Sequence, residues 1–180
     1  MFNLPNCLTL TRIFAAPIVV LLLYHEGPLM CFAAALLFTL ASITDLLDGH
    51  IARRDNLVTS FGKFLDPLAD KILTCSVLIM LTSLNWIPAW VTIVIVCREL
   101  VVTGLRAMAA DQGTVIAADA FGKWKTILQA IAVVPLTVHY PLMGINMHAL
   151  GEFLLYIALA LTVVSGVNYI YSYYKKMIMS

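Results

Sequence analysis

The apolar positions of this chain fall into six long runs separated by polar breaks, at about 8–24, 30–48, 64–83, 87–106, 124–140 and 150–174. A helix rising 1.5 Å per residue needs roughly 20 mainly apolar residues to cross a bilayer, and the runs are close to that length. The pattern predicts an all-α polytopic membrane protein of six transmembrane helices, with 1–180 as one integral membrane domain. The first run could be taken for a secretory signal. It is followed by Tyr24-His25-Glu26-Gly27-Pro28, which offers no small-x-small cleavage pattern, so it is expected to stay as a span.

Composition sharpens this picture, with 62% of the 180 residues hydrophobic and 12% charged, against about 45–50% and about 25% in soluble domains. The connections around 25–29, 84–86 and 141–149 hold no Lys or Arg, so all eleven basic residues fall in the other half. By the positive-inside rule both termini and that half are expected in the cytoplasm. A net charge of +1 lacks the concentrated basic excess that nucleic acid demands, and no nucleic-acid partner is expected. Cys7, Cys31, Cys75 and Cys97 form neither a C-x-x-C pair nor a zinc spacing, and read as small apolar packing residues.

The hydrophobic pattern leaves one stretch unexplained, Asp45 to Asp70, DLLDGHIARRDNLVTSFGKFLDPLAD. Four of the ten acidic residues, Asp45, Asp48, Asp66 and Asp70, stand at the ends of two apolar runs, where an ionised carboxylate at membrane depth is costly without a partner. Spacings of three and four put each pair on one helical face, and two such faces together would make a four-carboxylate cluster. Between them Gly49, Ala52 and Gly62 permit close approach, while Arg53, Arg54 and Lys63 suit phosphate. Asp66-Pro67 could also be a plain helix start, with Asp as cap and Pro in the first turn. A helix beginning near Gly62 would instead tolerate Pro67 early and carry both carboxylates inward. Asp55-Asn56 reads as a turn.

Written as D-x-x-D-G-x-x-A-R, eight residues, then G-x-x-x-D-x-x-x-D, the stretch resembles the signature of the CDP-alcohol phosphotransferases. All eight fixed positions match: Asp45, Asp48, Gly49, Ala52, Arg53, Gly62, Asp66 and Asp70. The N-terminal L-P-N-x-L-T-x-x-R resembles a bacterial branch of that family whose acceptor is sn-glycerol 3-phosphate, which would put Asn6 and Thr9 beside the nucleotide. Taken without the resemblance, the same residues read as an interfacial helix start.

Further along, Arg98-Glu99 sits eight residues before Arg106, roughly 12 Å deeper along a helix. A cation there needs a counter-charge. It could come from Glu99, from the Asp cluster or from an anionic substrate. Ala107 to Phe121 is mixed in composition and reads as a short cytoplasmic helix and turn. Lys123 and Lys125 can both be read as basic anchors beside the interfacial Trp124, the reading favoured for Lys125. R-E-x-x-V-T-G-L-R followed by G-K-x-K-T resembles the acceptor half of the same branch, which implies that Arg98, Arg106 and Lys123 receive a phosphate. His139 and His148 flank the opposite connection and read as solvated or interfacial histidines. The last run ends in a belt of tyrosines and Lys175-Lys176, which sets depth and offers a dimer face.

The resemblance implies transfer of a phosphatidyl group from CDP-diacylglycerol to sn-glycerol 3-phosphate, releasing CMP, in a bacterial cytoplasmic membrane. It also implies Asp45, Asp48, Asp66 and Asp70 as ligands of a divalent cofactor, Mg2+ or Mn2+ and two ions, with Asp70 also the general base. Asp48, Gly49, Ala52 and Arg53 would bind the donor nucleotide, membrane lipid would surround the chain, and a homodimer is expected. Sister enzymes acting on inositol phosphate or serine share the metal signature. A divalent-cation transporter would explain the Asp residues and leave the Arg and Lys cluster unexplained, and a non-catalytic scaffold would treat every charge as packing or topology.

Overall fold

The computed structural model describes residues 4–54, 60–111 and 120–178, with side chains there except at 4–9, 45–54, 60–68, 70, 110–111, 120–121, 123 and 177–178. Among the described residues the regular elements are six helices: α1 (Leu4–Leu23), α2 (Pro28–Arg54), α3 (Ser60–Ser83), α4 (Ala89–Asp111), α5 (Ala120–Val138) and α6 (Met147–Ile178). Their ends follow local chemistry. Pro28 opens α2, where the missing N–H costs nothing, and the Gly27 carbonyl accepts from Cys31 at 2.9 Å. Asn85, at φ 58°, closes α3, with the Asn85 N–H on the Thr82 carbonyl and the Trp86 N–H on that of Leu81. Asn146 caps α6 by accepting the Ala149 N–H at 3.1 Å.

A shared apolar core runs through all six helices, with Ala16 and Val19 (α1), Phe38 (α2), Val77 and Leu81 (α3), Val91 and Ile95 (α4), Val133 and Leu136 (α5) and Leu155 (α6) among its members. The α5–α6 packing is the most extensive. Gly151 makes it possible, since a Cβ there would lie 2.6 Å from Leu136 Cγ. α3 and α4 are joined by a 2.7 Å hydrogen bond between the Thr82 and Thr92 hydroxyls.

The connections after α1, α3 and α5 meet at one end of the bundle. Tyr140 Oη donates to the Glu26 carbonyl, and the His139 ring stacks on Trp86 at 3.8 Å. His139 lies 4.8 Å from the His148 ring, and both are partly buried. Of the two expectations, solvated or interfacial, full solvation is excluded, because stacking has drawn them into an aromatic cluster.

Among the described residues one helix, Met147–Lys176, is long and apolar enough to cross a membrane, with a mean hydropathy of 2.0. Leu10–Leu23, Pro28–Thr44, Lys71–Ser83 and Trp124–Val138 are shorter apolar stretches. Charges at helix ends, and Arg98-Glu99 within α4, interrupt the others. Large apolar side chains nonetheless cover the outside, including Phe14, Leu21, Phe32, Leu36, Ile79, Ile93, Leu100, Ile131, Phe153 and Val167. A surface so rich in exposed large apolar groups suits an apolar surrounding better than water.

One sequence-based expectation changes. The segment after Arg106, expected as a short helix and turn of its own, continues α4 through Asp111, because Ala107-Met108-Ala109-Ala110 are strong helix formers. α3 starts at Ser60, close to the start expected near Gly62. The Asp55-Asn56 turn lies outside the described residues.

Candidate functional site

Helix alternation and short connections at the aromatic end place the end of α2, the starts of α1, α3 and α5, and the ends of α4 and α6 together at the opposite end. The residues given a site role from the sequence lie on the helices that run into that end. Asn6 and Thr9 are in α1; Asp45, Asp48, Gly49, Ala52 and Arg53 in α2; Asp66 and Asp70 in α3; Arg98 and Arg106 in α4; Lys123 in α5. Only Arg98 and Arg106 among these have described side chains. The two Asp pairs stand on consecutive helices whose ends are separated by 55–59, a gap that spans at most about 20 Å.

The described part of this half is organised by Glu99, which is 3% exposed. Its Oε2 pairs with Lys71 Nζ at 2.5 Å, and its Oε1 accepts from Arg98 Nη1 at 3.1 Å and from Lys125 Nζ. One carboxylate thus ties α3, α4 and α5. A buried charge persists only when opposite charges and hydrogen bonds replace its water, and Glu99 has both. Arg98 reaches α6 as well, since Nη2 donates to Ser165 Oγ at 2.8 Å. Its stem lies against Gly166, where a Cβ would sit 3.0 Å from Arg98 Cγ. Ser165 Oγ in turn donates to the Thr162 carbonyl at 3.2 Å. Of the counter-charges weighed for Arg98, the structure provides Glu99.

Lys125 corrects the expectation of a basic anchor at the interface. It is 1% exposed, whereas its neighbour Trp124 is 66% exposed. The helix turns Trp124 outward and Lys125 into the bundle, toward Glu99. Arg106 is exposed, and its guanidinium lies 5.8 Å from the centre of the Tyr169 ring, a cation–π distance. Beside the ion cluster is a cavity of about 60 Å³ lined by Ser42, Lys71, Thr74, Cys75, Glu99 and Lys125 among others.

Sequence reasoning thus missed Glu99 as a centre, Lys71 and Lys125 as its partners, and Ser165 and Gly166 as the seat of Arg98. One signal was available. Glu99 is the only acidic residue between Asp70 and Asp111, inside a run too apolar for a bare charge. Among the described residues no group of three or more His, Cys, Asp or Glu could hold a metal ion. The Asp pairs, whose side chains lie outside the described set, offer an all-oxygen donor set of the kind hard divalent cations take.

The CDP-alcohol phosphatidyltransferase family matches residues 2–164. A Bacillus subtilis (strain 168) protein named CDP-diacylglycerol–glycerol-3-phosphate 3-phosphatidyltransferase is 44% identical, covering 94% of this chain and 94% of its own. Proteins of the same name from Rickettsia bellii and Rickettsia typhi are 44% and 43% identical, over 96% and 97% of this chain and 94% and 97% of theirs.

Proposed function

The chain belongs to the CDP-alcohol phosphatidyltransferase family, and from that membership we propose that it is a transferase of phospholipid synthesis. It moves the phosphatidyl group of CDP-diacylglycerol to sn-glycerol 3-phosphate. The observation that carries this reading is the shared name of relatives at 43–44% identity along nearly the full length of both chains.

In this reaction the primary hydroxyl oxygen of the acceptor bonds to the phosphatidyl phosphorus, the bond from that phosphorus to the CMP oxygen breaks, and CMP leaves. Asp70 takes the hydroxyl proton on its carboxylate. Arg98, Arg106 and Lys123 hold the acceptor phosphate by charge-assisted hydrogen bonds. Arg53 faces the donor phosphates, Gly49 and Ala52 leave room for the nucleotide, and Asn6 and Thr9 border it. Asp45, Asp48, Asp66 and Asp70 would hold two Mg2+ or Mn2+ ions, which when bound neutralise charge on the pyrophosphate.

The donor keeps its acyl chains in lipid while the acceptor is dissolved in water, so the reaction needs a site at an interface. Six spans, with both termini and the charged half on the cytoplasmic side of a bacterial membrane, meet that need. The exposed apolar faces and the absence of Lys and Arg from 25–29, 84–86 and 141–149 support this topology. A homodimer is part of the proposal, to be checked by cross-linking in membranes. The function is tested with purified protein, CDP-diacylglycerol and a panel of alcohols. Equimolar CMP and phosphatidylglycerol phosphate from sn-glycerol 3-phosphate are expected; transfer to inositol phosphate or serine instead would replace the acceptor assignment.

A further inference from the structure

Glu99 belongs to none of the groups assigned a role above, yet it touches the surroundings of three of them. Lys71 follows Asp70 on α3, Lys125 is two residues beyond Lys123 on α5, and Arg98 is itself a proposed ligand of the acceptor phosphate. An ionised carboxylate is an acceptor only, and both of these oxygens are engaged, with partners on three helices. We propose that Glu99 is a positioning residue for the acceptor. Its charge fixes the relative placement of α3, α4 and α5 and, with Ser165 and Gly166, holds the Arg98 guanidinium in one orientation.

The two contacts on Arg98 come from different helices and constrain it independently. Glu99 takes one terminal nitrogen and Ser165 Oγ the other, at 3.1 and 2.8 Å. Gly166 lets the stem lie flat against α6, since any larger residue would push on Arg98 Cγ. Among the described residues Arg98 Nε has no protein partner. The guanidinium is therefore held by its two ends, with two of its five N–H donors engaged. A planar guanidinium with two of its nitrogens already placed loses little freedom on meeting a phosphate, which is where preorganisation gains affinity. The contacts of Glu99 run to Arg98, a proposed acceptor ligand, and to Lys125, two residues from Lys123, so its removal should be felt by the acceptor.

This inference rests on the acceptor reading above, and the experiment separates the two. Glu99→Gln keeps the volume of the side chain and removes its charge. In protein that elutes as a single species in detergent with wild-type helical content, the apparent constant for sn-glycerol 3-phosphate should rise roughly tenfold or more, while that for CDP-diacylglycerol changes by less than about threefold. Equal changes in both constants, or none, overturn the positioning role. Should Glu99→Gln fail to fold, Ser165→Ala decides. It leaves the ion cluster in place and removes one constraint on Arg98, so a rise of about threefold or more confined to the acceptor constant supports the proposal and any other pattern overturns it. Wild-type protein run alongside distinguishes the failures. If it makes no product from sn-glycerol 3-phosphate, the acceptor assignment falls and the positioning role with it; if it does and the variants show no acceptor-specific change, only the positioning role falls.

Discussion

Lys125 is 1% exposed and paired with Glu99, and removing one partner of a buried ion pair leaves the other charge less compensated. Lys125→Ala should therefore destabilise the protein by about 3 kcal/mol, the lower end expected for breaking a buried ion pair, because Lys71 and Arg98 still neutralise Glu99. Thermal unfolding in detergent measures this, and a change within about 0.5 kcal/mol would return Lys125 to the role of a surface anchor. Asp70→Asn keeps the side-chain volume and removes the proposed base, so transfer should be abolished while CMP still protects the protein from unfolding. Near wild-type turnover would remove Asp70 from catalysis. Arg106 is exposed beside Tyr169, and its replacement by Ala should weaken sn-glycerol 3-phosphate roughly ten- to a hundredfold through loss of a contact worth about 1.5–3 kcal/mol. Donor binding should hardly change; an unchanged acceptor constant in folded protein would exclude Arg106 from the site. The pairing of Arg98 with Glu99 was legible because the two are adjacent. The centring of the cluster on Glu99 was not, since its bond to Lys125 spans 26 residues and that of Arg98 to Ser165 spans 67, distances at which sequence pattern carries no information about partners.

Helix limits were easier to read because each is set by a few neighbouring residues. Pro28, Asn85 and Asn146 mark ends through ring geometry, left-handed backbone and side-chain capping, all local effects. α4 outruns the end that the mixed composition after Arg106 predicts, because the helix propensity of Ala107 to Ala110 prevails there. Which faces of the helices meet was less legible, since small residues allow close packing without specifying a partner. Gly151 and Gly104 make the difference measurable. A Cβ at Gly151 would fall 2.7 Å from the Leu136 backbone nitrogen as well as 2.6 Å from Leu136 Cγ. The backbone cannot yield as a flexible side chain would, so Gly151→Ala should cost about 1–3 kcal/mol by separating α5 from α6. At Gly104 a Cβ meets nothing within 4 Å, and Gly104→Ala should leave stability unchanged or raise it by up to about 1 kcal/mol. Equal unfolding temperatures for the two variants would contradict the close α5–α6 crossing.

The molecule divides its chemistry between two ends. The Asp, Arg and Lys residues proposed for the site lie toward one end; the other gathers Trp86, His139, Tyr140 and His148 over three connections. That division suits a reaction between a lipid and a dissolved phosphate at a single interface, with the far end serving to hold the helices together. It also gives a pH dependence whose sign can be worked out. Burial and the charge of His148 hold His139 below the ordinary imidazole value of 6.5, with Glu26 acting in the opposite sense. The unfolded chain then binds a proton more readily than the folded one, so the contribution of His139 to stability is complete above pH 6.5 and is lost as pH falls through the lowered folded value. Protonation would place charge beside the stacked Trp86 and 4.8 Å from a second imidazole. The unfolding temperature in detergent should therefore drop on going from about pH 7.5 to about pH 5. His139→Asn, whose side chain tolerates the left-handed backbone at φ 60°, should lower the starting temperature and flatten the slope. A slope as steep in the variant as in the wild type would show that the pH sensitivity arises elsewhere, and that the aromatic end does not couple protonation to the stability of the bundle.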